Sequence, residues 1–122
     1  MKQKVHSVSY FAKAEFNFKA GTYDLVALPA GAEVVKLSLE VVGDIINDAS
    51  LGLGFKGETK SDYFLFLNAQ SLKDNKDKTF TLAKDYTVTS NKSVVAVVDD
   101  DNNAKCILRV LYFLPSVIEV EY

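Results

Sequence analysis

Apolar residues recur at every second position in this chain, and this period constrains the fold more than any other feature of the sequence. In the segment 33–41 apolar and polar residues alternate. The apolar positions are Val35, Leu37, Leu39 and Val41, and the polar positions between them are Lys36, Ser38 and Glu40. Because successive side chains of a strand point to opposite faces, this pattern predicts a half-buried antiparallel strand. The same alternation surrounds Phe16 and runs from Leu51 to Phe55. The pattern indicates an all-β fold.

Turn signals separate these strands at intervals of about 8 to 15 residues, which is typical of a sandwich or barrel. The segment Asp62–Leu72 is the one helix candidate, and its run of consecutive apolar residues favours a strand that enters a loop. We therefore predict a single antiparallel β-sandwich domain over residues 1–122, with about eight to ten strands. Residues 1–13 are expected to form an extended N-terminal arm or an edge strand.

One strand pairing is suggested by a polar segment between two β-rich runs. Asp99–Ala104 separates Val94–Val98 from Ile107–Phe113, and its asparagines tolerate the positive φ of a tight reversal. This arrangement predicts that the two runs form a hairpin.

Charge and targeting features exclude several classes of partner. Fourteen Lys and Arg residues against sixteen Asp and Glu residues give a net charge of −2, so nucleic acid is not an expected partner. The longest apolar run, Cys106–Pro115, contains Arg109 and is too short to cross a membrane. No apolar stretch of the signal-peptide kind follows the basic N-terminus, so we expect synthesis in the cytoplasm. Cys106 is the only cysteine, and we interpret it as a small buried apolar residue.

The sequence contains no set of residues typical of catalysis or metal binding. The only histidine is His6, which cannot by itself complete a zinc site or a nucleophilic triad. Asp99, Asp101 and Asn103 have the spacing that opens a calcium loop, but an EF-hand would need Gly at Ala104 and Glu at the twelfth position. A solvated turn is the favoured reading, with a weak surface cation site as the alternative. We predict no cofactor and no enzymatic activity.

A family resemblance begins at Leu28-Pro29-Ala30-Gly31-Ala32. This turn precedes an alternating strand (34–42), then Ser50-Leu51-Gly52-Leu53-Gly54, a polar stretch and a C-terminal β-rich region. In that order, residues 20–113 resemble small virion proteins of tailed bacteriophages, which include capsid decoration (cement) proteins and tail accessory proteins. The loop 73–78 and the strand 117–122 do not match the pattern.

The resemblance implies a jelly-roll sandwich that assembles as a homotrimer on the outer surface of a virion. It also implies a non-catalytic structural role, with the major capsid protein as partner. A carbohydrate- or ligand-binding adhesion module is the alternative, although the chain lacks Trp and would depend on Tyr63, Tyr86 and Tyr122 for stacking.

Apolar residues that one small core need not bury are the candidates for a contact surface. They lie in the two terminal segments: Val5, Val8, Tyr10, Phe11, Leu114, Val117, Ile118 and Val120. The segment 107–113 is also apolar on both phases, which is typical of a central strand in a two-layer core or of a strand at a subunit interface.

Overall fold

The computed structural model describes residues 2–6, 8–57, 64–68, 70, 79–114 and 117–121; the side chains of 2–6, 82–85 and 117–121 are not included in that description. The described residues form ten strands: β1 (Lys2–His6), β2 (Ser9–Asn17), β3 (Gly21–Leu28), β4 (Glu33–Asp44), β5 (Leu51–Phe55), β6 (Leu65–Leu67), β7 (Thr79–Thr87), β8 (Lys92–Val98), β9 (Asn103–Phe113) and β10 (Val117–Glu121). This part of the chain contains no helix with the length and hydropathy of a membrane span.

Eight of the strands form two antiparallel sheets. Sheet A has the order β2-β9-β4-β7, and sheet B has the order β3-β8-β5-β6. The two remaining strands, β1 and β10, pair with each other, and we call them the terminal ribbon. The predicted all-β sandwich is confirmed, as is the strand predicted within Asp62–Leu72, of which the structure describes β6.

The strands pair in a nested order from the middle of the chain outwards. β5 pairs with β6, β4 with β7, β3 with β8, β2 with β9 and β1 with β10, all of them antiparallel. The chain is therefore one long hairpin whose two arms are folded over into facing sheets. This topology is the jelly roll that the family resemblance implied.

The inner faces of the two sheets meet in one apolar core. Its fully buried side chains come from both sheets and include Leu39 and Leu108 from sheet A with Leu28, Leu53 and Val94 from sheet B. The burial of each such side chain contributes about 1.5–3 kcal/mol relative to exposure. The core thus depends on the period-two pattern that the sequence shows.

The phase of that pattern changes inside β4. The register of β4 against both of its neighbours shifts between Val34 and Lys36. The shift is a β-bulge, which inserts one extra residue and reorients the side chains next to it. As a result Val34 is 2% exposed and Val35 is 36% exposed, so the prediction that Val35 faces the core with Leu37 was wrong.

The predicted hairpin between β8 and β9 was also wrong. β8 lies in sheet B and β9 lies in sheet A, so residues 99–102 form a crossover between the sheets. Val98 pairs with Gly21 and Leu51, whereas Asn103 pairs with Asp44. Polar residues suit a crossover as well as a tight turn, and alternation within a strand does not identify the sheet to which the strand belongs.

The N-terminal segment contributes two strands. β2 is an edge strand of sheet A, and β1 precedes it as one half of the terminal ribbon. The loop 73–78 lies outside the described residues.

Candidate interaction surfaces

The two ends of the chain lie together at one end of the sandwich, which we call the ribbon end. Ser9 pairs with Phe113 in sheet A and His6 pairs with Val117 in the terminal ribbon, so the ribbon continues the β2–β9 pair. Neither ribbon strand is hydrogen-bonded to a third strand in the described part of the chain. Because an isolated two-stranded ribbon is only marginally stable in water, further contacts would stabilise this one.

The register of the ribbon assigns four of the predicted contact residues to its two faces. Val5 lies opposite Ile118, and Val120 lies opposite Gln3. Residues that oppose each other, and residues two positions apart, occupy the same face of an antiparallel pair. Val5, Ile118 and Val120 therefore occupy positions on one face, whereas Val117 occupies a position on the other face.

The other four predicted contact residues flank the junction between ribbon and sandwich. Val8 is 39% exposed, Tyr10 is 50% exposed and Phe11 is 63% exposed. Leu114 is half-buried, and its backbone N–H donates to the carbonyl oxygen of Val8 at 2.9 Å. An apolar surface of this kind at one end of a sandwich is available for contact with another chain.

A groove of about 190 Å³ crosses the outer face of sheet A beside the ribbon end. Phe11 and Leu111 form its apolar part, and Lys36, Ser38 and Arg109 form its polar part. The register places Phe11, Leu111 and Lys36 side by side on β2, β9 and β4. We call this feature the outer-face groove.

The two basic side chains that line the outer-face groove differ in whether they have an ion-pair partner. The Arg109 guanidinium donates from Nη1 to Glu40 Oε1 at 2.9 Å, and both side chains are about one-third exposed. Lys36 is exposed and makes no ion pair with any described residue.

A separate ion-pair network lies further along sheet A. Glu15 contacts Lys105 at 2.8 Å and Lys13 at 3.5 Å. The hydrogen bond from Lys105 and its positive charge hold the pKa of the Glu15 carboxyl below its ordinary value, and Lys13 adds to the effect. Both lysines are therefore partnered, in contrast to Lys36.

Five aspartates lie at the opposite end of the sandwich, which we call the acidic end. They are Asp44, Asp48, Asp99, Asp100 and Asp101. Asn102 at its centre is 5% exposed, and its Oδ1 accepts from the backbone N–H groups of Ile46 and Asn47 at 2.8 Å each. Its own backbone N–H donates to the carbonyl oxygen of Phe18 at 2.8 Å. Asn102 therefore ties together three of the connections described at this end, those after β2, β4 and β8.

Two neighbouring aspartates act in a similar structural way. Asp101 Oδ1 accepts from the backbone N–H of Ala20 at 2.7 Å, and Asp99 accepts from both the backbone and the hydroxyl of Ser50. Among the described residues no group of three or more His, Cys, Asp or Glu side chains is placed to hold a metal ion. Asp99 and Asp101 therefore act as turn-stabilising acceptors at the acidic end.

Two residues considered for chemistry or sugar binding are engaged in packing. Cys106 is fully buried, and desolvation raises the pKa of its thiol to about 12, so it is the inert residue that the sequence predicts. Tyr86 stacks on Phe55 at 5.0 Å, and its hydroxyl accepts a hydrogen bond from Lys92 Nζ at 2.8 Å. Tyr86 is therefore not a free stacking platform; Tyr63 and Tyr122 lie outside the described residues.

The sequence did not reveal the outer-face groove. Lys36 and Arg109 read as ordinary polar-phase residues, and only the pairing of β2, β9 and β4 brings them beside Phe11. Two other exposed apolar residues, Ile46 at 68% and Phe66 at 56%, were also missed. The one signal in the sequence for an outer contact surface was the segment 107–113, whose outward-facing positions are also apolar.

The chain is similar to known capsid structures. It matches a chain of the acidic stable capsid structure of Helicobacter pylori bacteriophage KHP30 with 63% identity over 100% of both chains and a TM-score of 0.88. A chain of the cyanophage Pam1 capsid asymmetric unit shares the fold at a TM-score of 0.61 and 19% identity, over 88% of this chain and 84% of that one. No family profile and no curated protein matches the sequence.

Proposed function

Because this chain belongs to the same family of bacteriophage capsid proteins as its KHP30 relative, we propose that it is a decoration (cement) protein on the outer capsid surface. In this role it binds where major capsid subunits meet and stabilises their contacts. The match at 63% identity to a chain of a capsid structure, over 100% of both chains, is the observation that carries the proposal.

The distribution of exposed apolar residues supports a role in contact rather than catalysis. A standard protein interface buries about 800 Å² on each partner, with apolar side chains at its centre. The ribbon end supplies Val8, Tyr10 and Phe11 beside the terminal ribbon. We propose that these residues, with Leu114 and the ribbon positions Val5, Val117, Ile118 and Val120, contribute to the surfaces that contact neighbouring chains.

We further propose that the protein is a homotrimer on the shell. A ring of three copies needs a contact between two different patches on each chain. The terminal ribbon has two unpaired strand edges in the described part of the chain, and such edges readily accept a neighbouring strand. The ribbon of each copy thereby extends the β-structure of the next.

Acid tolerance fits the same role. The capsid of the KHP30 relative is described as acidic stable. In the described part of this chain, Asn102 is the buried polar side chain, and an amide does not titrate. Acidification would therefore leave the core of this protein uncharged, and we propose that its fold persists at low pH.

Binding to shells that lack this chain tests the proposal. Capsids from a phage with the corresponding gene deleted would be mixed with purified protein and sedimented, and the stoichiometry of the bound protein would be measured. The proposal predicts saturable binding and an increase in the temperature at which the shell dissociates. Absence of binding, with folded protein and intact shells, would overturn it.

A further inference from the structure

The outer-face groove combines features that suit one particular kind of side chain. Phe11 is 63% exposed on an edge strand, and Leu111 lies beside it on β9. These two apolar groups meet the positive charges of Lys36 and Arg109 across about 190 Å³ of open space. No acidic residue is among the described residues that line the groove.

The bulge in β4 helps to shape this site. It shifts the register between Val34 and Lys36, so that Val35 and Lys36 are both exposed although they are consecutive. Bulges are features that reorient a side chain, often beside a functional site. Here the bulge places Val35 on the outer face next to Lys36, which lines the groove and has no described acid as a partner.

The two cations differ in how far their charge is already compensated. Arg109 is held by Glu40 at 2.9 Å, which positions the guanidinium at the groove and gives it a counterion. Lys36 carries a charge with no counterion in the described structure, and Ser38 adds a hydroxyl that can donate to an anion. The complementary ligand is therefore a carboxylate on an apolar stem.

We propose that the outer-face groove is an anchor for a glutamate or aspartate side chain on an extended, partly apolar segment of the underlying capsid shell. The carboxylate pairs with Lys36, and the stem with its apolar neighbours packs on Phe11 and Leu111. This inference rests on the proposed function, since it names the chemistry by which the protein holds the shell. Aromatic side chains that become buried at the centre of an interface are among those that dominate its binding energy.

Charge reversal and apolar truncation test the anchor separately. Binding of Lys36→Glu and Phe11→Ser variants to shells that lack this chain would be compared with wild type at several salt concentrations. We expect each variant to bind at least about tenfold more weakly, which corresponds to about 1.4 kcal/mol. Lys36→Gln should also flatten the salt dependence, because the ion pair that it removes is screened by salt.

Matched variants outside the groove control for general effects. Lys19→Glu makes the same change in charge on an exposed residue at the acidic end, and Val42→Ser truncates an exposed valine on sheet A outside the groove. Both should bind as wild type does. Denaturant unfolding of each variant shows that a loss of binding is not a loss of fold, and the milder Lys36→Gln replaces Lys36→Glu if the latter does not fold.

Photo-cross-linking identifies the occupant. A benzophenone amino acid in place of Phe11, irradiated in the shell-bound protein, should cross-link to a shell peptide that contains Asp or Glu next to an apolar residue. Cross-linking to a second copy of this chain would overturn the proposal, as would equal binding by Lys36→Glu and Lys19→Glu. If the wild-type protein does not bind shells, the proposed function fails. If the wild-type protein binds shells and the groove variants bind equally well, the groove assignment fails and the proposed function stands.

Discussion

Replacement of Asn102 by alanine should destabilise the protein, because its side chain holds the acidic end together. The substitution removes the oxygen that accepts from the N–H groups of Ile46 and Asn47 at 2.8 Å each. It also removes the weaker donation from Nδ2 to the Asn47 carbonyl oxygen at 3.4 Å. Each lost hydrogen bond contributes about 1 kcal/mol net, so the free energy of unfolding should fall by about 2 kcal/mol.

Urea unfolding measures this effect. For a chain of this size a loss of about 2 kcal/mol corresponds to a decrease in Tm of roughly 8 °C. Asn103→Ala is the matched control, because it is the same substitution at the adjacent, exposed residue. The reasoning would be refuted if the two variants differed by less than about 0.5 kcal/mol, the range of ordinary surface substitutions.

Three further predictions concern other sites. Gly43→Ala should destabilise the fold by more than the ~1 kcal/mol of an average substitution. Gly43 has a φ of +124°, and a Cβ at this position would lie 2.5 Å from the Asn103 carbonyl oxygen. Thermal unfolding tests this prediction, and an unchanged Tm would contradict it. The pKa of Glu15 should lie below 4.5 and should rise in Lys105→Met. The stabilising contribution of the Glu15 carboxylate is therefore present above pH 4.5 and is lost as the pH falls through the folded-state pKa. An NMR titration of Glu15 with equal midpoints in both proteins would contradict this. Cys106 should resist a thiol reagent at pH 8 in the native protein and react in denaturant, whereas rapid native reaction would show that the thiol is not buried.

The alternation of residues predicted the strands well because it reflects a local physical requirement. A strand between core and solvent must place apolar side chains on one face, and the buried Leu37 and Leu39 of β4 follow that rule. The bulge at Val34–Lys36 could not be predicted in the same way, because a bulge is a mismatch between neighbouring strands and not a property of one strand.

Long-range pairing was the main information that the sequence lacked. Residues 99–102 contain good turn formers, yet they connect two sheets because β9 pairs with β2 and β4 instead of β8. The terminal ribbon and the outer-face groove depend on the same kind of pairing, which brings together residues that are about a hundred positions apart in the chain. Apart from Val35, the alternation in β4 therefore predicted which residues face inwards, but not which outward-facing residues become neighbours.

The location of the protein in the virion is the most direct test of this account. A cryo-EM reconstruction of the phage that encodes this chain should show a jelly-roll density on the outside of the shell, above the junctions between major capsid subunits. The ribbon end and the outer-face groove should face neighbouring chains, and three copies should surround a local threefold axis. A shell that lacks this density, or that carries it on the inner surface, would contradict the account.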